Sequence, residues 1–293
     1  MALPHIIIYD GSFRPYLLSS YLHAQRQSEV QFIGNLDPQL FLGAIRPGSY
    51  HSLSDFRGEK HLRFLADYVH MSLNPISFEL KCFERWFTLL DFLEKQDIQH
   101  FSHLDAVVFL MEPMETSKTY GIMNPSCWAS LVFKSRDLIA EYIDFVSYVY
   151  ANKSSSDYSD ICRAWEVFQV DRGGGVCDMI LHSMLWGRLA KSGKAQDVEI
   201  LSDPMRQGGK HDHCVAAIED TEGLHQNRLG GYRMKEGFKE VLWIKDTPYC
   251  VRPNGSLIKM GTLHLQGSVA KTEKWCDYYS TPTVRDQFKK LVR

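Results

Sequence analysis

The chain has 293 residues, 44% of them hydrophobic and 23% charged, with Lys plus Arg at 33 against Asp plus Glu at 35. Such a balance belongs to an ordinary globular protein and excludes a disordered chain, a coiled coil and a collagen. The formal net charge of -2 gives no support to a nucleic-acid partner, whose binder carries a basic surface.

In chain order, His5 to Tyr9 is an apolar, β-rich run that ends at the turn signal Asp10-Gly11. Phe13, Tyr16, Leu17, Tyr21 and Ala24 then keep helical spacing. Val30 to Ile33 is a second strand, closed by Gly34-Asn35. Strand, helix and strand in this order predict a βαβ unit and a parallel sheet. Residues 36–75 hold Pro38, Pro47, Gly48, Gly58 and Pro75, and read as a long excursion with a short helix from Leu62 to Val69. From Phe78 to Lys95 the pattern is helical, with Cys82, Phe83, Trp86, Leu89, Leu90 and Leu93 on one face.

His103 to Leu110 reads as one strand, and Ser130 to Phe133 as another. A helix follows from Arg136 to Tyr150, then a loop from Lys153 to Asp157. Gly173-Gly174-Gly175 precedes a helix from about Asp178 to Ala190. Residues 202–237 are polar and Gly-rich and read as loop. The last piece is β-rich: Val241 to Ile244, Tyr249 to Arg252, and Ser256 to Met260 after the hairpin signal Asn254-Gly255. No internal repeat and no linker stands out, so the expectation is one α/β domain over residues 1–293.

No apolar run approaches the roughly 18 residues that cross a bilayer. The amino terminus carries no basic segment of the kind that opens a signal peptide. The seven cysteines form no CxxC pair and read as reduced thiols in a cytoplasmic protein. In that compartment the glycosylation sequons at Asn152 and Asn254 are chance matches.

Three constellations carry chemistry. Asp105 closes an apolar strand, and ligands of open α/β sheets sit beyond the carboxyl ends of strands. Residues i and i+2 of a strand face one way, so an Asp-x-Asp pair aims two carboxylates at one ion; here the second position is Val107. Glu112 lies about 23 Å further along an extended strand and is no substitute. Gly173 to Gly175 would let backbone approach a ligand at the helix that Asp178 opens. His264, Gly267 and Lys271 are a metal ligand, a close-approach glycine and a phosphate-neutralising cation. Each also has a structural reading: a strand-end carboxylate, an acid complementing a helix dipole, and a strand-end histidine beside a solvated lysine. His211-Asp212-His213-Cys214 looks zinc-like but has no partner pair at finger spacing. Asp178 and His182 share a helix face and read as a hydrogen-bonded pair. A Walker loop, GxGxxG, GxSxG and HExxH are all absent.

Taken in order, these blocks resemble the bacterial nucleotide-diphospho-sugar transferases of the GT-A fold found in capsule and surface-polysaccharide gene sets. The residues are Phe78-Glu79-Leu80-Lys81-Cys82-Phe83-Glu84-Arg85-Trp86, His103-Leu104-Asp105, Gly174-Gly175-Val176-Cys177-Asp178-Met179, Asp212-His213, and Leu263-His264-Leu265-Gln266-Gly267 with Lys271. The resemblance spans residues 5–275, and it is more distant to the glycogenin-like family. It implies a Rossmann-like mixed sheet flanked by helices, with a C-terminal β-hairpin region. It implies transfer of a sugar from a nucleotide-diphosphate sugar to a glycan or lipid-linked hydroxyl acceptor, in polysaccharide biosynthesis.

The same resemblance implies the site. The donor nucleotide would lie near Tyr9, Gly11 and Asn35, and Arg85 would approach its sugar or phosphate. Asp105 and His264 would hold Mn²⁺ or Mg²⁺ on the diphosphate, and Gly267 would admit it. Lys271 would neutralise the leaving diphosphate, and Asp178 would face the reacting sugar or acceptor. Two positions depart from the pattern. Val107 replaces the second Asp, and Lys271 follows His264 by seven residues, one more than in the glycogenin-like pattern. The alternative is a degenerate relative that binds a sugar nucleotide or glycan without turnover. Peripheral membrane contact through amphipathic helices stays open.

Overall fold

The computed structural model describes residues 3–41, 43–46, 48–171, 174–203, 210–212, 214–216, 231–267 and 271–292. Gly173 and His213 lie outside them. The strands are β1 (His5–Tyr9), β2 (Val30–Gly34), β3 (Tyr50–Ser52), β4 (Phe101–Asp105), β5 (Val108–Leu110), β6 (Tyr120–Ile122), β7 (Ser130–Phe133), β8 (Val198–Ile200), β9 (Lys210–His211), β10 (Met234–Lys235), β11 (Phe238–Lys239), β12 (Val241–Ile244), β13 (Thr247–Val251) and β14 (Leu257–His264). The helices are α1 (Pro15–Gln25), α2 (Glu59–Asp67), α3 (Ile76–Lys95), α4 (Asp137–Ala151), α5 (Ser156–Asp171), α6 (Asp178–Lys191), α7 (Glu273–Tyr279) and α8 (Pro282–Val292).

The molecule is a mixed α/β structure around a central mixed sheet of order β3-β2-β1-β4-β7-β6-β8. The first four strands run parallel, and β7 reverses direction against β4. Alternation along each strand feeds two separate cores. Ile6 and Ile8 of β1 pack with α3, α4 and α6, whereas Ile7 packs with α1, α7 and α8. Trp86 is the largest side chain sealed in the first core and Tyr279 is sealed in the second.

A second sheet has the order β12-β13-β14-β5, with β9 alongside β14. Val251 pairs antiparallel with Leu257 across the Asn254-Gly255 turn, where Gly255 takes a positive φ of 83°. The single strand expected from His103 to Leu110 is corrected here. It breaks after Asp105, and its far half, β5, leaves the central sheet to pair with the end of β14. The sequence shows one apolar run because both halves are buried; it does not show that they serve different sheets. Helices α5, α7 and α8 also went unread, since their apolar positions are sparse or interleaved with charge. Among the described residues no helix is long and apolar enough to cross a membrane. All seven cysteines are described, and none is joined in a disulfide.

Among the buried histidines, burial weighs most clearly against the charged form of four: His5, His23, His103 and His182. The His23 ring bonds the Ser19 carbonyl through Nδ1 at 2.6 Å and accepts the Thr281 N–H at Nε2 at 3.1 Å, tying α1 to the start of α8. His182 lies flat on Trp128, with centroids 4.3 Å apart, and also meets Tyr142 and Trp86. It is therefore a core residue rather than the partner of Asp178. Burial pushes His5 and His103 down to about 4 and His23 and His182 down to about 3. The unfolded chain takes up these protons near 6.5 and the folded chain refuses them. Their contribution is thus fully present above pH 6.5 and is lost as pH falls toward 4. Urea titrations at pH 7.5, 6.5, 5.5 and 5.0 should show the unfolding free energy falling steadily, with net proton uptake on unfolding.

Candidate active site

The parallel strands β2, β1 and β4 end side by side, and their carboxyl ends hold a row of the residues singled out above. Tyr9 pairs with Gly34, and Ile8 with Asp105. Beyond β1, the Gly11 N–H donates to Asn35 Oδ1 at 3.2 Å, and Asn35 Nδ2 donates to Asp10 Oδ1 at 2.5 Å. Tyr9 donates its hydroxyl to the Ser12 carbonyl at 2.9 Å. Tyr9, Gly11 and Asn35 therefore form one turn cluster, and α3 leans over it. Lys81 of α3 reaches the Asp10 carbonyl at 3.2 Å and its carboxylate at 3.3 Å.

One helical turn further, Arg85 joins the other two blocks. Its Nη1 donates to Asp105 Oδ2 at 3.1 Å and its Nη2 to Asp178 Oδ2 at 2.5 Å. The Trp86 indole N–H donates to the same Asp178 oxygen at 3.0 Å. Asp178 is buried, while Arg85 and Asp105 keep about a fifth and a quarter of their side chains exposed (21% and 27%). The guanidinium thus spans from the end of β4 to the start of α6, with one edge open to solvent.

Asp178 arrives there through a staple. Gly175 bridges Ser72, the Val176 N–H donates to the Met71 carbonyl at 2.7 Å, and the Leu73 N–H to the Gly174 carbonyl at 3.1 Å. A Cβ on Gly175 would stand 2.4 Å from the Ser72 Cα, so only glycine admits this approach. The sequence reading gave these glycines to a ligand; at Gly175 the space is taken by the chain itself.

His264, at the end of β14, pairs with Val108 of β5. Its N–H donates to Asp212 Oδ2 at 3.2 Å, and Asp212 is in turn buried against Lys239 at 2.5 Å. Asp212 is therefore an internal counter-ion to Lys239. Burial alone would push the Asp105 carboxyl up. Arg85 foremost, then His264, His103 and Lys271, outweigh it and hold the carboxyl below its usual range. The Lys271 ammonium stands 5.8 Å from the centre of the Tyr16 ring. Burial, then Tyr9 and then Asp105, raise the Tyr16 phenol above its ordinary value. Gly267 has a positive φ of 87° with open space where a Cβ would be, so backbone conformation rather than close packing selects glycine there.

Sequence reasoning missed Asp10, Tyr16 and Lys81. Lys81 was visible in hindsight, four residues before Arg85 on the same helix. Burial, then the Asp178 charge, push the Cys177 thiol up to about 12, and Cys82 moves the same way, which disfavours the thiolate at both. Glu112 is remote from the row and pairs with Lys259.

The fit of a divalent ion can be judged from the donors. Asp105 offers one carboxylate, and Arg85 already occupies one of its oxygens. Val107 is packed into the core. Among the described residues no three His, Cys, Asp or Glu side chains converge. These residues do not fit a resident metal ion.

No family model and no curated protein matches the sequence. One solved structure that aligns with the chain is a glycosyltransferase involved in the glycosylation of the major capsid of PBCV-1. The identity is 10%, over 53% of this chain and 68% of that one, at a TM-score of 0.27. So slight an overlap leaves the functional reading to the residues themselves.

Replacing Arg85 by Met leaves two neighbouring carboxylates without their cation. Breaking a buried pair from one side costs about 3–5 kcal/mol. Urea titration of R85M should show a loss of this order at pH 8. Asp105, released from the guanidinium that holds its carboxyl down, would then bind its proton at higher pH, so the deficit relative to the parent should shrink as pH falls to 5.

Proposed function

We propose that the chain is a glycosyltransferase of the GT-A type that takes a nucleotide-diphosphate sugar and transfers the sugar to a hydroxyl of a glycan or lipid-linked acceptor. The observation that supports this best is the shared guanidinium: Arg85 is held ionised between Asp105 and Asp178, at the carboxyl ends of parallel strands. Ligands of open α/β sheets bind at such ends. The turn of Tyr9, Gly11 and Asn35 offers the nucleotide a seat beside that centre.

Transfer breaks the bond between the anomeric carbon and the diphosphate oxygen. The electron pair leaves with the diphosphate, the acceptor oxygen bonds to carbon, and its proton passes to the departing diphosphate oxygen. Arg85 and Lys271 supply positive charge to the departing oxygens, where preorganised charge is worth most. Asp178 carries Arg85 and Trp86 on one oxygen, so that oxygen is already taken up by two donors. Its negative charge suits the positive character that grows on the sugar ring. A divalent ion enters this reading only in company with the donor's diphosphate, on the Asp105 and His264 side.

The test is a thermal-shift panel of UDP-, GDP-, CMP- and dTDP-sugars, each with and without Mn²⁺. A ligand at 100 times its Kd adds about 2.7 kcal/mol to the folded state. One nucleotide class should shift the melting temperature, and Lys271→Ala should reduce that shift. No shift with any sugar nucleotide would overturn the proposal. Binding without release of nucleotide diphosphate would instead select the degenerate relative, which the buried Val107 favours. Val107→Asp adds a carboxylate in the buried turn two residues after Asp105: in a variant that still folds, a gain in Mn²⁺ affinity supports the Asp105 and His264 placement, and no gain counts against it.

A further inference from the structure

Glu79 is a fully buried carboxylate in the first turn of α3, six residues before Arg85. Its Oε1 accepts the Ser72 hydroxyl at 2.7 Å and the Asn74 amide at 2.7 Å. The Asn74 N–H closes the loop on Ser72 Oγ at 3.1 Å. Oε2 is buried with no hydrogen-bond partner. A buried carboxylate that uses one oxygen is costly, so it is expected to fix something in place.

What it fixes can be traced bond by bond. Glu79 grips Ser72 and Asn74. Met71 and Leu73 grip Val176 and Gly174 through two backbone hydrogen bonds, which make Ser72 and Gly175 a bridged pair. Two residues later the chain delivers Asp178 to Arg85 and Trp86. The circuit starts and ends on α3, so one rigid helix sets both the carboxylate and its guanidinium partner.

We propose that Glu79 is a positioning residue for Asp178, acting through the strap of residues 71–74 and Gly174-Gly175. The inference rests on reading Asp178 as part of the donor site. Its effect is geometric: the strap keeps Asp178 Oδ2 within reach of both the guanidinium and the indole.

The Trp86 indole N–H reports on Asp178 directly, because it donates to Asp178 Oδ2. Its resonance in a ¹H–¹⁵N spectrum of the ¹⁵N-labelled full chain is assigned by its disappearance in Trp86→Phe. Glu79→Ala should displace that resonance and speed exchange of the Val176 amide by at least about tenfold. Glu79→Gln keeps an oxygen at the Oε1 position and should leave both as in the parent. If Glu79→Ala does not fold, Ser72→Ala removes one of the gripped groups and should move the indole signal in the same direction. An unmoved indole in Glu79→Ala or in Ser72→Ala overturns the proposal. So does a Glu79→Gln signal displaced as far as that of Glu79→Ala, because charge rather than the grip would then be responsible. None of these readouts needs a sugar nucleotide, so failure of the donor panel and failure of this circuit are separate results.

Discussion

The site depends on one guanidinium shared by two carboxylates. Arg85 sits where β4 ends and α6 begins, and without it Asp105 and the more deeply buried Asp178 would both lose their cation. A single arginine can do this because its planar fork presents separate N–H groups to separate acceptors. A lysine ammonium also has several donors, but it is a point charge on a flexible stem and lacks the fixed fork that aims one donor at each acid. The indole of Trp86, next in sequence, adds a neutral donor to the more deeply buried of the two acids. Asp178 is therefore held from two directions, by the guanidinium at the solvent edge and by an indole locked in the core.

Helix α3 gathers most of these parts. Lys81 and Arg85, four residues apart, face the strand ends, while Phe83, Trp86, Leu89, Leu90 and Leu93 fix the helix in the core. The far side of the site is built by β14, whose last residue, His264, pairs with β5 just after the chain breaks away from the central sheet. The buried pair of Asp212 and Lys239 holds the backbone there. Such a pair contributes little net stability. Its effect is to fix the place where the second sheet meets the first, beside Asp105.

Much of this was legible in the chain itself. The β1-α1-β2 opening, the long helix through Arg85 and the helix opened by Asp178 follow from apolar periodicity and from turn residues. The sequence also singled out Arg85, Asp105 and Asp178 as candidates, and the structure brings them within hydrogen-bonding distance. The partnership itself was not legible: Asp178 was expected to face a ligand, and it also carries Arg85. Lys81 and Tyr16 were missed because a lysine on a helix face and a tyrosine at a helical spacing look like ordinary surface and ordinary core.

By itself the sequence determined the local elements, because periods of 2 and 3.6 show directly which face of a segment is apolar. It also determined that one carboxylate, not two, follows the fourth strand. Only the tertiary structure decided that the run from His103 to Leu110 divides between two sheets, and that Gly175 makes room for Ser72 and not for a ligand. It alone decided that Arg85 meets a residue 93 positions away. Pairings of that range depend on how whole elements pack, and a local pattern of residues carries no record of which element will lie across from it.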